Sequence, residues 1–223
     1  MSVIPPRLAE VRARLEQACH RAGRDPAEVK LIAVTKGHSV ASVQENILSA
    51  GHTVLGESRI QEWREKAAEL RGIEWHLIGN LQTNKVKYCR PFHTLHTLNS
   101  ERLADALEAY GEKKGHTFRV LLEVNVAGEA SKQGVSLADA RALARYAEGL
   151  PHLDLAGVMT IAPYSGDPEA ARPFFRTLRT LRDTLALREL SMGMSGDFEV
   201  AAEEGATYVR VGSALFPGAE KTR

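Results

Sequence analysis

Apolar positions along the chain follow two rhythms that take turns. Residues 7–23, RLAEVRARLEQACHRAG, set Leu8, Val11, Leu15 and Ala18 at helical spacing, and Gly23 stops the pattern. Residues 31–36, LIAVTK, are a short and nearly continuous apolar run, as expected of a strand covered on both faces. From there the two patterns alternate. Strands are predicted at 31–36, 53–58, 74–79, 93–98, 119–126, 153–162, 189–195 and 208–216. Helices are predicted at 39–51, 59–70, 100–115, 136–150, 167–186 and 198–205, with a short one around 83–89. Ser39 and Ser136 are placed to cap their helices, and Asp167 with Pro168 reads as a cap and first turn.

Strand and helix alternating in this way imply right-handed parallel crossovers. Eight such strands close into a (β/α)8 TIM barrel, and 223 residues suit a single domain of that kind spanning 1–223. An open doubly wound sheet is the alternative. The last strand is followed only by PGAEKTR, so the extra N-terminal helix is expected to cover the barrel there. No linker, low-complexity tract or internal repeat divides the chain.

Composition narrows the classes. A net charge of +1 with 43% hydrophobic residues gives no global charge to recruit nucleic acid or acidic lipid. Only Cys19 and Cys89 occur, far apart, so a disulfide framework is not expected and a reducing cytoplasm suits the chain. No secretory h-region or membrane-spanning run is present in the sequence.

In a barrel, chemistry belongs at the C-terminal ends of the strands. Lys36 ends the first strand, an awkward place for an ammonium unless it reaches water or reacts. Glu57, His76, Asn125 and Thr160 lie at or near other strand ends. SMGMSGD (191–197) and VRVGSA (209–214) come from the last two strands, where small residues let backbone N–H groups approach a phosphate. A lysine beside a phosphate site suggests a phosphorylated carbonyl ligand held as a Schiff base. Pyridoxal phosphate has the aldehyde, the phosphate and a ring nitrogen for which Arg210 is a fitting partner.

Six segments then carry a resemblance: AVTK (33–36), GESRIQE (56–62), WHLIGNLQTNK (75–85), EVNVAGEASKQG (123–134), GVMTIAP (157–163) and LSMGMSGDFEVAAEEGATYVRVGSALF (190–216). The chain resembles the pyridoxal phosphate homeostasis protein family over almost its whole length. That resemblance implies a single barrel like the N-terminal domain of alanine racemase, with pyridoxal 5'-phosphate as an imine on Lys36. It also implies Arg210 at the pyridine nitrogen and Ser191, Gly212 and Ser213 on the phosphate, with Met192 and Ser195 nearby. His76 and Asn125 would line the ring pocket, and Lys132 would make a secondary contact. Ser58 stands where the family usually has asparagine, and is left out of the expected set.

The implied role is cofactor homeostasis and supply without robust turnover, with apoenzymes that need the cofactor as partners and a monomeric state. A racemase using the same imine is the alternative function. It needs a second acid/base group, for which Tyr164 is the available candidate, and the chain's short tail leaves no room for the β domain that supplies that base in the racemases. An aldolase-like barrel without the cofactor is a third reading. The motif HTLHTL offers His93 and His96 but no evident third metal ligand, so both read as polar residues of a strand or pocket. Trp63 and Trp75 read as packing residues, and Arg176, Arg179 and Arg182 as a solvated helix face.

Overall fold

The computed structural model describes residues 5–129 and 132–216. Ala130 and Ser131 of the EVNVAGEASKQG loop and the tail from Pro217 lie outside it. The strands are β1 (Lys30–Val34), β2 (Val54–Glu57), β3 (Glu74–Leu77), β4 (Phe92–Leu98), β5 (Phe118–Glu123), β6 (Leu153–Met159), β7 (Glu189–Ser191) and β8 (Tyr208–Val211). All pair in parallel in sequence order, and β1 closes on β8 through Ile32 opposite Arg210 and Ala33 opposite Val211. The closed barrel, rather than the open sheet, is the architecture.

The helices are α1 (Pro6–Arg21), α2 (Val40–Asn46), α3 (Ile60–Glu69), α4 (Glu101–Lys114), α5 (Leu137–Glu148), α6 (Arg172–Thr184) and α7 (Phe198–Glu203). The crossover from β3 to β4 carries a 3-10 helix, Thr83–Tyr88. Local sequence sets the helix starts: Ser39, Ser100 and Ser136 each accept a hydrogen bond from the backbone N–H three residues on. The N-terminal helix covers the barrel beside β7 and β8 by packing on α7. Arg14 pairs with Glu199, Arg21 with Glu203, and Arg24 donates to the carbonyls of Ala202 and Ala206.

Most of the apolar core fills the annulus between strands and helices, and both tryptophans are buried in it. The Trp63 ring packs against Phe92 in a tilted arrangement, with ring centroids 4.7 Å apart at an interplanar angle of 42°. Inside the barrel the apolar set is small: Ile32, Leu121, Ala156, Met159 and Tyr208.

The predicted strands run past the observed ones at their C-terminal ends. β1 stops at Val34, so Lys36 sits in a turn beyond the strand, and β7 stops at Ser191. The cause is local. Gly37 and Gly193 take positive φ angles of 76° and 89°, which turn the chain over the barrel mouth while its apolar residues stay buried. The arginine face of α6 is also not simply solvated. Arg172, Arg176 and Arg179 converge on Glu204, which is only 4% exposed.

Gly193 yields a direct test. A Cβ there would lie 2.5 Å from the Ala201 Cβ on a backbone that side chains rarely adopt. Gly193→Ala is expected to lower unfolding free energy by about 2–4 kcal/mol in urea titrations at unchanged m-value.

Candidate functional site

The loops after the strands enclose a cavity of about 690 Å³ at the C-terminal end of the barrel. Its wall includes Lys36, Ser195, Arg210, Gly212 and Ser213, which separate strands contribute. Ser58 and Tyr164 line it as well. Asn125 lies in a smaller adjoining recess with Lys132, which shares Ile78 and Ile161 with the main cavity. Asn125 Nδ2 donates to the Glu129 carbonyl at 2.8 Å, and Lys132 Nζ donates to the Ala162 carbonyl at 3.1 Å.

The turn that carries Lys36 is pinned from α3. Lys66 is buried, donates to the Thr35 carbonyl at 2.6 Å, and pairs with the buried Glu57 carboxylate. Thr35 Oγ1 donates to the same Glu57 oxygen at 2.6 Å, and Gly37 N–H donates to Glu62 at 2.9 Å. Lys36 itself is exposed at the mouth. Sequence reasoning missed Lys66 and the structural part of Glu57. The signal was an acid in GESRIQE with a lysine on the inner face of the next helix.

On the far wall, Ser195 Oγ accepts the backbone N–H groups of Gly212 at 3.1 Å and Ala214 at 3.3 Å. Its own proton is thereby free for an acceptor in the cavity. Gly212 is close to the minimum size: a Cβ would lie 3.3 Å from the Val34 Cβ. Met192 is fully buried in the core beneath this loop.

Arg210 is held from below. It donates to Ser191 Oγ and, at 2.8 Å, to the Thr160 carbonyl. Burial pulls its pKa down to about 10, against which the Asp197 and Glu123 carboxylates hold its charge. Ser191 is buried and contacts no cavity space, so it acts as the seat of Arg210.

His76 lies deeper still and does not line the cavity. Its Nδ1 is 3.0 Å from His96 Nε2, and His96 Nδ1 is 2.9 Å from Ser191 Oγ. Its Nε2 is 2.9 Å from Glu74 Oε1, at the first residue of β3. A hydrogen-bonded chain therefore runs through the barrel from Arg210 to Glu74. Both ends fix its direction. Arginine only donates, and Glu74 is an ionised acceptor, its pKa lowered to about 2 by the His76 bond, with Lys30 adding to it. The Ser191 hydroxyl then donates to His96 Nδ1, His96 Nε2–H donates to His76 Nδ1, and His76 Nε2–H donates to Glu74. Both imidazoles are neutral, because burial lowers their pKa values.

The fold and this site define a class. The family model for the alanine racemase N-terminal domain matches residues 7–220, and the chain belongs to that family. Within it, the chain belongs to the pyridoxal phosphate homeostasis proteins. It is 45% identical to the protein of that name from Aquifex aeolicus, over 94% of this chain and 96% of the relative. It is also similar to PipY of Synechococcus elongatus, solved without pyridoxal phosphate (TM-score 0.84, 35% identity, 96% of this chain and 100% of that one). The PipY structure with pyridoxal phosphate bound matches with a TM-score of 0.79 at 34% identity, over 91% of this chain and 99% of that one.

The neutral histidines make stability pH-dependent. A histidine whose folded pKa lies below its unfolded value of about 6.5 gives full stability above that pH and loses it as pH falls. Urea midpoints are expected to drop between pH 7.5 and 5.5. His96→Asn is expected to be less stable at pH 7.5 but to show a shallower decline on acidification.

Proposed function

We propose that this protein holds pyridoxal 5'-phosphate reversibly, with its aldehyde on Lys36, and supplies it to apoenzymes without robust turnover of its own. The observation that carries the reading is the cavity that brings a primary amine, a buried guanidinium and a Ser195–Gly212–Ser213 cradle together. Its volume lies within the range of small-molecule sites. The donor set fits each end of the ligand: an amine for a carbonyl, hydroxyl and backbone N–H groups for a phosphate, and a charged donor for a ring nitrogen. The PipY structure with the cofactor bound supports the same reading.

The cofactor, when bound, would supply a carbonyl carbon for the Lys36 amine, with release of water. The residues of the chain do the rest. The Lys66–Glu57 pair fixes the turn that presents Lys36. The Ser195 hydroxyl and the Ser213 N–H would receive the phosphate, because the Gly212 and Ala214 N–H groups are spent on Ser195 Oγ. Arg210, held by Ser191 and the Thr160 carbonyl at the cavity wall, would offer the ring nitrogen a charged donor, which would disfavour a proton there and weaken the ring as an electron sink. That property suits holding the cofactor better than driving carbanion chemistry with it. Tyr164, the base a racemase reading would need, is 84% exposed, whereas proton transfer at a carbanion is favoured by a group shielded from bulk water. Among the described residues no helix is long and apolar enough to cross a membrane. A monomer working in the cytoplasm completes the proposal.

Titration of the purified protein with pyridoxal phosphate, followed by visible absorption, tests the reading. A saturable band absent from Lys36→Ala is expected, with affinity about tenfold weaker in Ser195→Ala, the loss of roughly one charge-assisted hydrogen bond. Turnover of amino-acid enantiomers that is lost in Tyr164→Phe would instead establish the racemase.

A further inference from the structure

The end of the barrel opposite the cavity holds a second group of side chains. Glu74, His76 and His93 place one ligand atom each within 4.8 Å of one another. Glu74 and His76 come from β3 and His93 from the start of β4. His76 is fully buried, whereas the His93 side chain is 43% exposed, so the cluster has a rigid base and an open side toward solvent. Sequence reasoning found no third ligand for the histidines. The barrel stagger provides one by bringing Glu74 to both rings, 2.9 Å from His76 Nε2 and 3.9 Å from His93 Nδ1.

We propose that Glu74, His76 and His93 form a site for a divalent transition-metal cation of the zinc type. Two imidazoles and one carboxylate with an open fourth position suit zinc, and imidazole nitrogen disfavours magnesium or calcium. The present spacing exceeds that of ligands on one ion only at the His93 ring, whose Nδ1 is 2.9 Å from Thr94 Oγ1 and must exchange that contact for the ion. Metal-bound histidines characteristically engage a second group through the other ring nitrogen. His76 has that partner in His96.

The cation already on Glu74 is Lys30, whose ammonium lies 2.8 Å from the same oxygen. Lys30 is partly exposed and sits over the Tyr208 ring, 6.0 Å from its centroid. Metal binding displaces it from Glu74, and Lys30 is the built-in competitor of the site.

Occupancy also reverses the internal chain. A metal on His76 Nε2 moves that ring's proton to Nδ1, which then donates to His96 Nε2. His96 in turn carries its proton on Nδ1 and donates to Ser191 Oγ. The serine hydroxyl rotates and keeps its own proton, so the three protons are conserved. The end of the barrel remote from the cavity thereby signals to the seat of Arg210.

The test uses the untagged, chelator-treated full chain at pH 7.5, without cofactor, so that it stands apart from the proposed function. Zinc titration by calorimetry is combined with long-range ¹⁵N–¹H spectra of the histidine rings. The expected result is one zinc per chain, with affinity about tenfold or more weaker in His93→Ala and Glu74→Gln, and tighter in Lys30→Met. His76 and His96 are expected to pass from Nε2–H to Nδ1–H tautomers as zinc is added. No binding, binding undiminished in His93→Ala, or binding that leaves both tautomers unchanged would overturn the proposal. His93 is a surface side chain, so its variant remains folded, and Lys30→Met gives an independent change of opposite sign.

Discussion

The site depends on the pairing of β1 with β8. That closure sets Ile32 opposite Arg210 and Ala33 opposite Val211. The chain beyond Val34 then emerges beside Gly212, close enough that a Cβ there would meet Val34 at 3.3 Å. Lys36 and the Ser195–Gly212–Ser213 loop thus share one cavity although they lie at opposite ends of the sequence. An open sheet would have left these two strands unpaired. The covering helix α1 belongs to the same constraint, because its arginines tie the N-terminal segment to α7, the helix that precedes β8.

The barrel interior meets a second demand. A guanidinium at the cavity wall must be kept charged out of water, which is costly without partners. The protein answers with Ser191 and the Thr160 carbonyl directly, and with nearby Asp197 and Glu123 at longer range. Behind Ser191 the two neutral histidines extend the network to Glu74, so every polar atom along the path has a partner. A donor-only group at one end and an acceptor-only group at the other leave one proton arrangement for the whole chain. The family to which the chain belongs is consistent with this layout: the cofactor end is open, and the interior is devoted to fixing one arginine.

Much of this was legible in the sequence, and the limits have physical causes. Strand order, the closed barrel and the cavity residues Lys36, Ser195, Arg210, Gly212 and Ser213 followed from periodicity, small residues and motif resemblance. Strand ends did not. Buried loop residues such as Met192 read like strand until the backbone angle at Gly193 is known. Depth within the barrel was also hidden. Alternation along β3 places His76 inside the barrel but does not say at which level, because the level is set by the stagger between strands. The approach of Glu74 to His93 is a nonlocal contact with no spacing signature, and the Lys66–Glu57 pair shows in the sequence only as an acid at a strand end and a lysine on the inner face of the next helix. Glu204 was concealed for the same reason, so the α6 arginines looked merely solvated.

In the proposed function Lys36 and Arg210 grip one ligand from two sides of the mouth. A crystal structure of the protein soaked in pyridoxal phosphate tests it most directly. Density continuous with Lys36 Nζ is expected, with the phosphate on the Ser195 hydroxyl and the Ser213 N–H and the ring nitrogen on Arg210. Ligand density on other lysines, or a ring turned away from Arg210, would contradict it.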